Sequence, residues 1–289
     1  MSKFRLGIIA NTGKESVKTV LPDFLQWLAD ERVSFVVADD LHELIDLSPW
    51  QILHPREIAD NVDFVLSFGG DGTFLQTARL IAPREVPILG VNLGYFGYLA
   101  EVNPTEMKTR LRELLDGKYS LQERMMLGVR LENVPEEEQF YCLNDVVISR
   151  TSLARTIRLE ASISGNYLNT FNADGLIVST STGSTGYSLS AAGPILEPTL
   201  NAIIINPICP HMLANRPIVI ADSRVIEITP HTHEGIYQVS VDGMRVMEPE
   251  SGKKVIIQKA PFVTKIVVFD DHDFNAILRN KLKWRDQLN

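Results

Sequence analysis

Val62-Asp63-Phe64-Val65-Leu66-Ser67-Phe68 runs straight into Gly69-Gly70-Asp71-Gly72, and Thr73 to Ile81 follows. The first seven residues are apolar enough for a strand covered on both faces. The glycines mark a sharp turn, and the periodic apolar positions after them predict a helix. A strand that ends in a glycine turn and opens a helix is the building unit of an α/β fold.

The flanking sequence repeats that unit. Phe4 to Ala10 is an apolar run ending at Asn11-Thr12-Gly13, and Val17, Val20, Leu21, Phe24, Leu25 and Leu28 follow at helical spacing. Val33 to Ala38 and Val86 to Val91 read as further strands, and a helix is expected from a cap at Asn103 to Gly117. This predicts an α/β domain with a parallel sheet over residues 1–120. From Leu121 the period changes to two. Val225, Glu227 and Thr229 alternate with Ile226 and Ile228, and Tyr237, Val239 and Val241 alternate with Gln238, Ser240 and Asp242. Turn signals at Gly165-Asn166, Asp222-Ser223, Asp242-Gly243 and Glu250-Ser251-Gly252 separate short strands. A β-rich domain is expected over 121–265. The tail, 266–289, carries Phe274, Ile277, Leu278, Leu282 and Trp284, and is expected to pack back on the first domain.

Composition narrows the class. The chain has 289 residues, 45% hydrophobic and 22% charged, enough to bury a full core and too apolar to be disordered. A net charge of −8 argues against a nucleic-acid binder, which needs a basic face, but leaves small nucleotides open. No apolar run approaches the roughly 20 residues of a membrane-spanning helix. The N-terminus lacks a signal-peptide pattern, so a cytoplasmic location is expected. The two cysteines, Cys142 and Cys209, form no CxxC pair and are expected to be buried, reduced thiols.

Chemistry gathers in a few places. Glycines at 69, 70 and 72 let the backbone approach a ligand or take positive φ, and the helix N-terminus after them can bind phosphate. No Lys-Ser/Thr pair follows, as a Walker loop would require, and Leu75 stands where a dinucleotide fingerprint needs its third glycine. No lysine lies in the glycine turn. A carboxylate beside a phosphate cradle is repulsive unless it serves a metal ion or a sugar hydroxyl, which makes Asp71 the leading catalytic candidate. Asn92-Leu93-Gly94-Tyr95-Phe96-Gly97-Tyr98-Leu99 stands at the carboxyl end of the next strand, where ligands of open α/β sheets collect. Asn172-Ala173-Asp174-Gly175, then Thr180 to Ser190, supplies hydroxyls and glycines suited to a pocket for a base, an amide or a sugar. On pattern alone Asn144-Asp145 reads as a turn, His211 as structural, and Arg155 and Arg158 as surface charges.

Together, and in this order, these pieces resemble the NAD kinase family. The matching stretches are Gly69 to Thr73, Asn92 to Leu99, Asn144-Asp145, Asp174 to Ser190, and Asn206 to Ile220. The run from Thr182 to Pro194, with Ala192 in one glycine place, is far more specific than the glycine turn, which lipid kinases share. The resemblance implies transfer of the γ-phosphoryl group of ATP to the 2′-hydroxyl of the adenosine ribose of NAD. It also implies a Mg²⁺ requirement, a homotetramer or homodimer, and an α/β domain followed by a β-rich domain with a returning tail. It places Asp71 and Gly72 at the reactive ribose and phosphate, and Asn144 and Asp145 on the adenosine portion. Asp174, Thr185, Gly186 and Ser190 would line the dinucleotide pocket, with Tyr187 near the subunit contact and Arg155 and Asn172 at further ligand contacts. It assigns no metal ligands here. Asp145 stands where Glu is common and Asn172 where a basic residue is frequent. A lipid acceptor would need an apolar channel, whereas the hydroxyl-rich run points to a polar one.

Overall fold

The computed structural model describes residues 4–94, 97–151, 156–212 and 214–284. The chain forms two compact units, Met1–Gln122 with Lys265–Asn289, and Glu123–Thr264.

The first unit opens with β1 (Arg5–Ala10), α1 (Glu15–Asp30), β2 (Ser34–Ala38), β3 (Ile52–Leu53) and the single turn α2 (Pro55–Ile58). It continues with β4 (Phe64–Gly69), α3 (Asp71–Ile81), β5 (Ile88–Asn92) and α4 (Met107–Leu115). The strands run parallel in the order β3-β2-β1-β4-β5. Every residue of β4 and β5 is buried, which is why these strands read as unbroken apolar runs. On α1, Val17, Leu21, Phe24, Leu25 and Leu28 are buried, the stripe that helical spacing marks out. α4 starts at Met107, and Asn103 does not cap it. Residues 103–106 form a turn closed by the Glu106 N–H on the Asn103 carbonyl, and the Asn103 amide faces the Glu106 carboxylate instead.

The second unit is built from β6 (Ser120–Leu131), β7 (Phe140–Cys142), β8 (Asp145–Arg150), β9 (Ile157–Ile163), β10 (Asn166–Ala173) and β11 (Gly175–Thr180). After the short turn α5 (Tyr187–Ser190) come β12 (Ala202–Ile208), β13 (Ile218–Ala221), β14 (Ile226–His231), β15 (Tyr237–Val241), β16 (Met244–Met247) and β17 (Val255–Val268). One sheet is antiparallel in the order β13-β12-β11-β8-β15-β16. A second set runs β10-β9-β14-β17, with β6 on β17 and β7 on β6. A single core joins Val146, Leu176, Val178 and Ile203 of the first to Leu159, Ile226, Ile228 and Ile257 of the second. On β14, Ile226 and Ile228 point inward while Glu227 and Thr229 stay half-buried, as the alternation in sequence requires.

β17 ends in the first unit, where Ile266 pairs in parallel with Ile88 of β5. α6 (Phe274–Leu282) follows and buries Ile277 and Leu278, while Trp284 remains exposed. Its lead-in is tied to the α/β unit by the His272 ring on Glu101 and by Arg110 on Asp271. Cys142 is buried, but Cys209, beyond the end of β12 with φ +45°, is exposed, contrary to expectation. Its place in a left-handed turn at the strand end faces it outward rather than into the core.

Candidate active site

In the α/β unit the glycine turn sits at the carboxyl end of β4. Gly70 precedes α3 in an extended conformation, and no side chain caps the helix. None of the turn glycines takes a positive φ. Gly69 is required by close approach instead: a Cβ there would stand 2.0 Å from Thr73 Oγ1. At Gly72 a Cβ would meet nothing within 4 Å, so that face of the turn is open.

Asp71 is the first residue of α3, and its carboxylate is wrapped by the chain after β5. Oδ2 accepts the Tyr98 N–H at 2.8 Å, and Oδ1 accepts those of Leu99 at 3.0 Å and Ala100 at 3.2 Å. Three backbone donors thus compensate a charge that would otherwise oppose a phosphate. Gly97 makes the wrap possible, since a Cβ there would fall 2.0 Å from Asp71 Oδ1. Burial and the Asp71 charge push the Tyr98 phenol above its ordinary range. Tyr95 and Phe96 lie outside the described residues.

A lysine reaches the turn from elsewhere. Lys14, just before α1, lies far from the turn in sequence, yet its Nζ is 3.6 Å from a Cβ placed on Gly70 and 3.0 Å from one on Gly94. The expectation that the turn region holds no lysine therefore holds for the chain locally and fails in space.

In the β-rich unit Asn144 and Asp145 open β8 beside the hydroxyl run. The Asn144 carbonyl accepts from Ser179 Oγ and the Thr180 N–H, and Thr180 Oγ1 donates to the Leu143 carbonyl at 2.6 Å. Asn144 Oδ1 is buried without a hydrogen-bond partner, an acceptor waiting for a donor. A Cβ on Gly186 would lie 3.2 Å from Asn144 Nδ2 and 3.7 Å from Asp145 Oδ2, so this glycine keeps the floor of the site open. The Tyr187 backbone N–H bonds to Asp145, while the Tyr187 ring is exposed. Burial, then the Asp242 charge, push the Asp145 carboxyl up to about 7. Asn206 Nδ2 fixes α5 from beneath through the Ser188 carbonyl, Ser188 Oγ and the Ala191 carbonyl.

The structure thus brings Asn144, Asp145, Gly186 and the Tyr187 backbone together, with Thr185 adjacent and half-buried. Asp174 and Asn172 are at the other end of β11. Gly175 pairs with Ser149 and Ser179 with Asp145, so Asp174 stands roughly 15 Å along the strand from Asp145. Asp174 forms a 3.0 Å ion pair with Arg150, and Asn172 is exposed, its carbonyl accepting the His211 N–H. Ser190 is exposed, Arg158 pairs with Glu160 on the surface, and Arg155 lies outside the described residues.

Sequence reasoning marks the Asn92–Leu99 stretch but not its wrap around Asp71, reads Asp242 only as a turn residue, and misses Lys14. Each acts through a partner distant along the chain, and Lys14 carried no local signal. Among the described residues no three His, Cys, Asp or Glu side chains gather as a metal cage.

A glycine turn opening a helix in a parallel α/β unit is joined to an antiparallel unit whose hydroxyl run, Ser179 to Ser184, is buried and bonded to backbone carbonyls. Comparison with known proteins sharpens this. The family model for the ATP-NAD kinase N-terminal domain matches residues 6–119, and that for the C-terminal domain matches 143–269. The NAD kinase of Geotalea daltonii is 42% identical over 98% of this chain and 99% of its own, and that of Moorella thermoacetica is 36% identical over 96% and 89%. Two solved structures, each 24% identical, share the fold. Yeast NADH kinase, complexed with NADH, has a TM-score of 0.89 over 99% of this chain and 89% of its own. An NAD kinase from Archaeoglobus fulgidus, in complex with ATP, has a TM-score of 0.76 over 96% and 98%. The chain belongs to the ATP-NAD kinase family, and it is an ATP-dependent enzyme of the NAD kinase type.

Proposed function

We propose that the chain transfers the γ-phosphoryl group of ATP to the 2′-hydroxyl of the adenosine ribose of NAD. The observation that carries this reading is the seat of Asp71: a carboxylate fixed by three backbone N–H groups in the first turn of a helix whose N-terminus is uncapped. Such a group is fixed in orientation against the 98–100 backbone and cannot swing away.

In the reaction a bond forms between the ribose 2′ oxygen and the γ-phosphorus, and the bond from that phosphorus to the β,γ-bridging oxygen breaks. The hydroxyl proton passes to Asp71, and ADP leaves. Phosphoryl transfer depends on positioning and charge compensation more than on covalent help. The Gly70–Gly72 turn and the N–H groups of α3 hold the donor phosphates, with the open face at Gly72 giving them room. Mg²⁺ commonly binds through one or two carboxylates together with substrate phosphates. That fits a turn with one carboxylate and no protein cage, so Asp71 is the side chain that would face the ion, and the ion supplies neutralisation of phosphate charge.

The β-rich unit recognises the dinucleotide. Asn144 Oδ1, buried and without a partner, accepts from the adenosine portion beside Asp145. Thr185, Gly186 and Ser190 line the pocket, with Asp174, Asn172 and Arg155 at further contacts, and exposed Tyr187 stands near the contact of a homotetramer or homodimer. A cytoplasmic location is part of the same reading, as the family resemblance implies.

Purified protein with ATP, Mg²⁺ and NAD is expected to form NADP, detected by a coupled dehydrogenase specific for NADP. No NADP above background across several phosphoryl donors would overturn the reading.

A further inference from the structure

Lys14 is held in place by the loop that carries it, and that loop is tied down on three sides. The Asn11 N–H donates to the Phe68 carbonyl of β4, and Asn11 Nδ2 donates to Thr73 Oγ1 of α3. Asn11 Oδ1 accepts the Gly13 N–H, and the Lys14 N–H donates to the Asn11 carbonyl. From the first turn of α1, Ser16 Oγ donates to the Leu93 carbonyl beyond β5. The loops after β1, β4 and β5, which are adjacent strands of one sheet, therefore converge, and the Lys14 side chain lies between them over Gly70 and Gly94.

Lys14 is half-buried, and no carboxylate among the described residues pairs with it. It also precedes the N-terminus of α1, where the helix dipole disfavours a cation. Its ammonium lies over Gly70 and Gly94, two positions with no side chain to stand between it and the turn. A cation kept where the protein's own field opposes it needs an anion from outside.

We infer that Lys14 binds the phosphoanhydride chain of the phosphoryl donor, its ammonium compensating the charge of the phosphates seated on the Gly70–Gly72 turn. The inference rests on the reading of that turn as the donor site. It assigns to a side chain from the β1–α1 loop the charge compensation that a Walker lysine supplies from within its own loop. The ammonium acts as a point charge on phosphate oxygens and does not contact the dinucleotide acceptor.

The test compares the full-length enzyme with Lys14→Met, which keeps length and loses charge, and Lys14→Arg, which keeps charge. Steady-state kinetics would vary ATP and NAD separately, and calorimetry would measure inorganic tripolyphosphate binding without any acceptor. A hydrogen bond between charged groups is worth about tenfold to a hundredfold in affinity. The expected result is a rise of that size in KM for ATP in Lys14→Met, a matching loss of tripolyphosphate affinity, an unchanged KM for NAD, and substantial recovery in Lys14→Arg. Wild-type values in Lys14→Met for both ATP and tripolyphosphate would overturn the inference while leaving the donor site standing. Equal losses for ATP and NAD, or no recovery in Lys14→Arg, would reduce Lys14 to a structural residue and overturn it too. A wild-type enzyme that makes no NADP would instead remove the underlying reading.

Discussion

Asp145 and Asp242 hold each other through the backbone. The Asp242 N–H donates to the Asp145 carbonyl at 3.0 Å, and the Asp145 N–H donates to the Asp242 carboxylate at 3.3 Å. The same Asp242 carboxylate accepts the N–H groups of Leu143 at 3.1 Å and Asn144 at 2.7 Å, so one turn residue, at φ +46°, fixes the whole entry to β8. The arrangement sets the Asp145 side chain, buried and near a second acid, against its own ionisation.

That conflict has a pH signature. Burial first, and the Asp242 charge second, raise Asp145 from 3.8 to about 7. Between those values the folded protein keeps a proton that the unfolded chain has lost, so stability falls as pH rises through this window and levels off above it. Asp145→Asn removes the effect and is expected to gain stability relative to wild type from pH 5 to pH 8. Urea midpoints at the two pH values measure this; parallel shifts for both proteins would contradict it.

Asp71→Asn is expected to lower turnover by roughly 10²–10⁴, the range for loss of a general base. An amide can accept with only one of its two head atoms, whereas Asp71 accepts on both oxygens from Tyr98, Leu99 and Ala100. The substitution should therefore also quicken amide hydrogen exchange at 98–100, with NAD affinity much less changed. Near-normal turnover in a folded variant would remove Asp71 from the chemistry.

Two glycine substitutions should behave differently. Gly97→Ala drives a methyl into Asp71 Oδ1 and is expected to disable catalysis by displacing the carboxylate. Gly72→Ala meets no protein atom within 4 Å and should leave the melting temperature close to that of wild type while impairing use of the donor. Kinetics with ATP varied, alongside thermal melts, separates the two.

Asn206→Ala strips three hydrogen bonds from beneath α5, although the Ser188 carbonyl keeps the Gly193 N–H and Ala191 is half-buried. A typical hydrogen bond contributes about 0.5–1.5 kcal/mol net, so a loss of stability of about that size per bond is expected. NAD affinity should fall with it, because α5 carries Tyr187 to Ser190, while tripolyphosphate binding to the α/β unit stays unchanged.

Asp174→Ala and Ser190→Ala are each expected to weaken NAD more than ATP, measured by separate titrations. Equal losses, or a loss for ATP alone, would refute their placement in the dinucleotide pocket.

The class of fold was legible because it rests on local pattern. Strands such as β4 are buried on both faces and read as apolar runs, α1 shows its stripe at Val17, Leu21, Phe24, Leu25 and Leu28, and β14 alternates with period two. These periods follow from how side chains project from helix and strand, so they survive without knowledge of any neighbour. The glycine turn and the hydroxyl run stood out by composition, yet the structure buries Ser179 to Ser184, whose hydroxyls bond to backbone carbonyls. The tertiary structure alone decided which distant groups complete them: Lys14 over Gly70, the 98–100 backbone around Asp71, Asp242 beneath Asn144. Each of these contacts joins residues set side by side only by the stacking of strands, so the local sequence marks some of the partners but not the pairing. Asn103 and Cys209 show the converse, where a residue with a clear local preference took another role because the turn around it was settled by the chain's path.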